Sequence, residues 1–294
     1  MSIKSLKTPL RYPGGKSKAI KTLSQWYPKT ISEYREPFIG GGSIAIDVTK
    51  TNPDIPIWIN DLYVPLYNFW VQLRDRGEEL SERVNEEKQK TLDEGDKDKI
   101  TASAKALFNK YKEEIDTYDD FEKAVAFFIM NKCSFSGLTE NSTFSQTASN
   151  SNFSLVGADK LKEFSKLIQH WKITNIDYSE VMSADGSDST FVFLDPPYDI
   201  KDFLYGKNRE MHKSFDHNLF AENVYKCKYN FMITYNVNHR LMQLYSNYEL
   251  NFWNLRYSMA HRGEKGTEDN VKQELLITNY NINPVTPIEE LLTT

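Results

Sequence analysis

Tyr34-Arg35-Glu36-Pro37-Phe38-Ile39-Gly40-Gly41-Gly42-Ser43 reads as a strand that runs into a glycine turn and then opens a helix. Glycines at such a junction let the chain turn sharply and let a ligand come close to the main chain. The next apolar run, residues 55–59, ends in Asn60-Asp61. An acidic residue placed there, about 20 positions after the glycines, is suited to bonding ribose hydroxyls. The spacing is not GxGxxG and no pyrophosphate cradle is evident, so a ligand without phosphate fits better than a dinucleotide. A tight turn with no ligand is the plainer alternative for the glycines taken alone.

Outward from this junction, short β-rich runs recur at 171–176, 191–194, 229–235, 248–257 and 274–280. Several are continuous rather than alternating, as strands buried on both faces of a parallel sheet require. Helical stretches at 43–49, 64–74 and 159–170 fall between them. Strand–helix alternation of this kind predicts an α/β doubly wound sheet. The middle of the chain differs. Residues 78–120 are heavily charged and favour helix, which reads as a pair of solvated surface helices. Residues 121–130 read as an amphipathic helix, and 131–154, crowded with Ser, Thr and Asn, as a loop. The stretch 76–156 is therefore expected to be an insertion between the second and third strands of the core.

Asp195-Pro196-Pro197-Tyr198 follows the apolar strand Phe191-Val192-Phe193-Leu194. Prolines have no N–H, so the carbonyls before them stay free to accept bonds from a ligand. Asp195 offers a carboxylate at the C-terminal edge of the sheet, where open α/β sheets bind ligands. Tyr198 offers a flat face for stacking. Together they suit an amino group and the ring that bears it. A third motif, Arg11-Tyr12-Pro13-Gly14-Gly15-Lys16, is weak by itself.

Composition bounds the rest. The chain has 294 residues, 39% hydrophobic and 26% charged, which is ordinary for a globular protein. The aromatic share of 13% serves a filled core or base stacking equally well. A net charge of −5 argues against binding DNA by bulk electrostatics alone, although a local basic face would suffice for phosphate contacts. Two basic stretches are candidates for that face. One holds Lys201, Lys207, Arg209, His212 and Lys213 with Phe203 and Tyr205; the other holds Arg256, His261, Arg262, Lys265 and Lys272. Arg11 and Lys18 could join them. Cys133 and Cys227 stand far apart with no CxxC, which disfavours a zinc cluster or a disulfide framework and points to the reducing cytoplasm. There is no HExxH or other metal spacing, no apolar leader, and no run near the ~18 apolar residues of a spanning helix.

The motifs in their order, with an Asn131-Lys132-Cys133-Ser134-Phe135-Ser136-Gly137-Leu138 segment and a closing Glu274-Leu275-Leu276-Ile277-Thr278-Asn279-Tyr280, resemble the Dam-type DNA adenine-N6 methyltransferases, the D12 class, over nearly the whole chain. The resemblance implies a Rossmann-like doubly wound, mostly parallel sheet with one antiparallel strand. It assigns 1–75 and 157–294 to a catalytic domain and 76–156 to a smaller inserted target-recognition domain of helices and loops. It implies S-adenosylmethionine as methyl donor, contacted by Tyr12, Lys16, Phe38, Gly40, Asp61 and Asp195. Asp195, Pro196 and Tyr198 would hold an adenine flipped out of double-stranded DNA, with no metal required. It also allows for a cognate restriction endonuclease as partner. Other readings are a same-fold methyltransferase for cytosine N4 or RNA, a non-catalytic DNA- or donor-binding protein, and, more remotely, a dinucleotide-dependent dehydrogenase.

Overall fold

The structure is a computed structural model that describes residues 6–139, 142–198, 215–256 and 271–282. The chain forms seven strands: β1 (Glu33–Glu36), β2 (Ile57–Asn60), β3 (Lys172–Thr174), β4 (Thr190–Leu194), β5 (Asn230–Asn236), β6 (Glu249–Arg256) and β7 (Val271–Thr278). They lie in one sheet in the order β3-β2-β1-β4-β5-β7-β6. The pairs from β3 through to β5 are parallel, whereas β7 runs antiparallel to both β5 and β6. This is the doubly wound α/β sheet expected from the sequence, with β7 as its one reversed strand.

Helix α1 (Ile20–Leu23) precedes β1 and α2 (Ser43–Thr51) follows it. Between β2 and β3 come α3 (Val64–Leu92), α4 (Lys97–Glu114), α5 (Asp120–Cys133), α6 (Gln146–Asn152) and α7 (Leu155–Ile168). Helix α8 (Tyr178–Ser183) leads into β4, α9 (His217–Lys226) into β5 and α10 (His239–Leu244) into β6. Side chains along β4 alternate between two cores. Phe191 and Phe193 join residues of α2, α3, α5 and α7 on one face; Val192 and Leu194 join residues of α8, α9 and α10 on the other. Burial on both faces is why the run carries no polar alternation.

The region between β2 and β3 corrects four expectations. The helix that begins at Val64 does not end near residue 74; it continues to Leu92 across a kink at Arg76 (φ −134°, ψ 33°). Its charged half is not simply solvated, because Leu80 and Val84 extend the apolar stripe of Phe69 and Leu73 at helical spacing and are fully buried. Helix α5 is not amphipathic: every residue from Ala124 to Asn131 is buried, so it runs through the interior. Residues 146–152, expected as loop, form α6, whose start is capped by Ser145 accepting from the Ala148 N–H. The core is continuous, with Val84, Phe108 and Phe127 in the same apolar cluster as Phe191 of β4. Among the described residues no helix is long and apolar enough to cross a membrane.

Just beyond the kink, Gly77 of α3 meets α7 so closely that an added Cβ would lie 2.2 Å from Ser165 Cβ. Gly77→Ala should therefore lower the free energy of unfolding by about 2 kcal/mol in a urea titration. Adding Ser165→Gly should restore part of that loss. An unshifted midpoint for the single variant would show that the two helices are not locked at this point.

Candidate active site

Strand order reverses between β1 and β4, and the loops leaving these two neighbours supply the glycine turn and the Asp195 turn. A crevice at such a reversal is where open α/β sheets take their ligands. Beyond the end of β1, the Ile39 N–H bonds the Asn60 carbonyl (2.9 Å) and the Gly42 N–H bonds the Ile39 carbonyl (2.8 Å), which closes the turn. Gly40 sits in the left-handed region (φ +47°), and an added Cβ there would be 3.1 Å from the Tyr12 ring. The close approach that the glycines permit is thus first of all that of Tyr12, with its ring against Gly40 and its Cβ near Gly41.

Asp61, just past β2, reaches into the same turn. Its Oδ2 accepts from the Gly40 N–H (3.2 Å) and its Oδ1 from the Tyr63 N–H (3.0 Å). Burial pushes its pKa up to about 7, against the opposing pull of the Gly40 N–H. Asn60, fully inside, binds the Pro37 and Ile176 carbonyls through Nδ2 (3.1 and 3.0 Å), tying three strand ends together. Phe38 leans the other way, into an aromatic group with Tyr178, Phe215 and Phe220 at ring separations of 5.3, 5.8 and 5.9 Å.

At the end of β4 the Asp195 carboxylate receives Lys16 Nζ at 2.7 Å (Oδ1) and 2.6 Å (Oδ2), and the Thr234 hydroxyl at 2.7 Å on Oδ1. Lys16 is only 3% exposed and also donates to the Gly14 carbonyl at 2.9 Å. Its Nζ stands 5.1 Å from the centre of the Tyr198 ring, whose hydroxyl donates to Glu274 Oε2 at 2.5 Å. Pro196 is buried between them in sequence. Below the site, Glu36 is buried and accepts from the Tyr34 hydroxyl at 2.7 Å. Burial raises its pKa well above the carboxylate range, the Tyr34 bond works against this, and the nearby Asp195 charge adds to it. The two acids thus differ: Glu36 is held toward its neutral form, while Asp195 has a cation as its partner.

The sequence motifs at the chain start and at 131–138 prove to be two halves of one clamp. Asn131 Oδ1 accepts from the Arg11 N–H (2.9 Å), while its Nδ2 donates to the Arg11 and Gly137 carbonyls (2.7 and 3.0 Å). Arg11 Nη1 donates to the Ser134 carbonyl (2.9 Å), and Lys132 Nζ to the Pro9 carbonyl (2.6 Å). Gly137, at φ +75°, has the Arg11 carbonyl where a Cβ would be, 2.1 Å away. This clamp delivers Tyr12 to the glycine turn and Lys16 to Asp195.

All eight residues singled out from sequence stand at this sheet edge: Tyr12, Lys16, Phe38, Gly40, Asp61, Asp195, Pro196 and Tyr198. Sequence reasoning gave no role to Thr234, Glu274, Tyr178 or Asn175, whose Nδ2 donates to the Asp61 carbonyl at 2.7 Å. Asn175 and Tyr178 follow β3, so their position after a strand end was the available signal; Glu274 opens the closing motif of the sequence, and Thr234, inside a strand, gave none. Of the basic stretches, Lys201, Phe203, Tyr205, Lys207, Arg209, His212, Lys213, His261, Arg262 and Lys265 lie outside the described residues. Arg11 is engaged with Ser134, and Lys18 is exposed.

Residues 12–259 match the model of a family described as D12 class N6 adenine-specific DNA methyltransferase. Two curated relatives are each 24% identical to the chain. Type II methyltransferase M.MjaIII of Methanocaldococcus jannaschii aligns over 200 residues, 64% of this chain and 68% of that protein. Type II methyltransferase M1.LlaDCHI of Lactococcus lactis subsp. cremoris aligns over 194 residues, 64% of each.

Removing a side chain that satisfies three backbone groups in the interior strands all of them. Asn131→Ala should lower stability by about 3 kcal/mol. Hydrogen exchange at the Arg11 amide should accelerate at the same time. Unchanged protection of that amide would show that the first motif is held in place by other contacts.

Proposed function

The chain belongs to the D12 class N6 adenine-specific DNA methyltransferases, and on that premise we propose that it transfers a methyl group from S-adenosylmethionine to N6 of an adenine flipped out of duplex DNA, at the edge formed by Asp195, Pro196 and Tyr198. The observation that carries this reading is the Lys16–Asp195 pair at the strand-order reversal, beside the Tyr12–Gly40–Asp61 turn. The residues present fit the donor. Lys16 and Asp195 offer one charge of each sign to an amino-acid zwitterion. Asp61 offers two carboxylate oxygens to a ribose diol, and Phe38 with Tyr178 offers aromatic faces to a purine. Bound there, S-adenosylmethionine supplies a methyl group made electrophilic by a positively charged sulfur.

The protein's own task is to raise the nucleophilicity of an amine whose lone pair is spread into the ring. The Asp195 carboxylate and the Pro196 carbonyl accept the two hydrogens of the amine and favour a pyramidal nitrogen. Lys16 binds both oxygens and Thr234 binds Oδ1 as well, so Oδ2, with one of these partners rather than two, is the oxygen assigned to the amine. Holding both reactants in line supplies further acceleration. Tyr198 is the platform for the extruded base; stacking worth ~1–3 kcal/mol offsets part of an extrusion cost of a few kcal/mol. Residues 76–156 are proposed as the region that reads the DNA sequence. The names of the relatives suggest a restriction–modification setting, with a cognate endonuclease as partner.

Asp195→Ala should abolish methyl incorporation into duplex DNA, followed with labelled donor and nucleoside analysis, while the folding transition stays cooperative. Methyladenine formed by that variant at the normal rate would refute the assignment. A product other than N6-methyladenine from the unaltered protein would refute the choice of acceptor.

Asp61 supplies a pH test. Its pKa is raised on folding, so the protein without donor holds a proton there that the unfolded chain has lost. Its contribution to stability is full below the unfolded value near 3.9 and fades as pH rises to about 7. Ribose hydroxyls bond best to the ionised form, so donor affinity should strengthen as pH rises through about 7 and be flat there in Asp61→Asn. Equal pH profiles for the two proteins would count against Asp61 as the ribose ligand.

A further inference from the structure

The hydroxyl of Tyr198 has no task in stacking, since a phenylalanine presents the same face to a base. Its partner explains it. Glu274 is 2% exposed and lies inside β7, between cross-strand neighbours Asn236 on β5 and Trp253 on β6. Its backbone is thus fixed from both sides, in a strand whose next residues are the buried Leu275 and Leu276. A carboxylate in such a place is costly unless it is bonded. Glu274 Oε2 takes the Tyr198 hydroxyl at 2.5 Å, the short distance of a charge-assisted bond. Tyr198, by contrast, stands beyond the end of β4, outside the ladder, and is only partly buried. Its ring meets Tyr235 at 6.0 Å with a 47° tilt and faces Lys16 Nζ. Both of these contacts act on the ring, and Glu274 acts on the hydroxyl at its far end.

We propose that Glu274 is a positioning residue for the base platform: its buried carboxylate, fixed in β7, grips the Tyr198 hydroxyl and thereby sets the plane on which the target base is presented to Asp195. This rests on the reading of the Asp195–Tyr198 edge given above. A base stacked on a ring turned out of this plane would carry its amine away from the Asp195 and Pro196 acceptors, and misplacement on that scale acts on the chemical step more than on donor binding.

The test is a double-mutant cycle in the full chain, with steady-state kinetics on methylatable duplex DNA and NMR of protein labelled with 13C-tyrosine. Tyr198→Phe and Glu274→Leu should each lower kcat roughly tenfold with the KM for donor unchanged. The double variant should be no worse than either single one. Glu274→Gln, which keeps a carbonyl acceptor of the same length and guards against misfolding of the leucine variant, should recover most of the rate. The Tyr198 resonance, assigned by its loss in Tyr198→Phe, should shift in Glu274→Leu and return toward its original place in Glu274→Gln. Losses that multiply in the double variant, or a Tyr198 resonance indifferent to residue 274, would overturn the proposal. If the unaltered protein methylates no DNA adenine, the reading of the edge fails instead, and the resonance alone decides whether Glu274 sets the ring.

Discussion

A lysine and an aspartate 179 residues apart, joined at 2.6 Å with the lysine almost wholly buried, form the contact on which the site depends. Moving both charges out of water costs more than most ion pairs return, so such a pair is poor evidence of stabilisation. Its presence makes sense at an edge where a ligand can take over part of the pairing. The cost of removing one member is asymmetric, because the survivor is left charged with no counter-ion. Lys16 can keep the Gly14 carbonyl and Asp195 can keep Thr234, so each retains one fixed bond when the pair opens. That arrangement preserves geometry while charge is exchanged with a ligand.

Everything else serves to bring these two groups together. Lys16 comes from a segment with no strand of its own, held at the sheet edge by Asn131 and Ser134 on Arg11 and by Lys132 on Pro9. Asp195 comes from the strand next to β1, so its distance from the glycine turn is set by one inter-strand spacing. Gly40 and Gly41 leave room for Tyr12 to lie directly on that turn. Side chain bulk at either position would push Tyr12 outward and Lys16 with it.

Much of this was legible in the sequence because it is local. The ends of β2 and β4 are marked by what interrupts an apolar run, Asn60-Asp61 and Asp195, whereas β1 carries the buried Arg35 and Glu36 and is marked by the glycines that follow it. What was not legible depends on which elements become neighbours. Thr234 sits inside an apolar run and gains its meaning only because β5 lies beside β4. Glu274 meets Tyr198 only because β7 is inserted, reversed, next to β5. The charged stretch after Gly77 looked solvated because charges outnumber apolar residues there; Leu80 and Val84 suffice to bury one face, and spacing, not composition, decides the matter.

The clamp at Asn131 joins the long insertion to the sheet edge more tightly than the chain order suggests. Asn131 closes helix α5, which runs buried through the core, and the turn after it carries Ser136 and Thr139 in the left-handed region (φ 56° and 50°). Residues without a glycine's freedom are held there at a cost of about 1–3 kcal/mol each, which the surrounding contacts must offset. The same turn holds Arg11 through the Ser134 carbonyl, lays Gly137 against the Arg11 carbonyl and leaves Phe135 60% exposed. A displacement of this turn cannot leave Arg11 in place, since its main chain is bonded to Asn131 through both N–H and carbonyl. Tyr12 and Lys16, the next contacts along the chain, would move with it. The geometry of the turn and the Lys16–Asp195 distance are therefore two readings of one mechanical state.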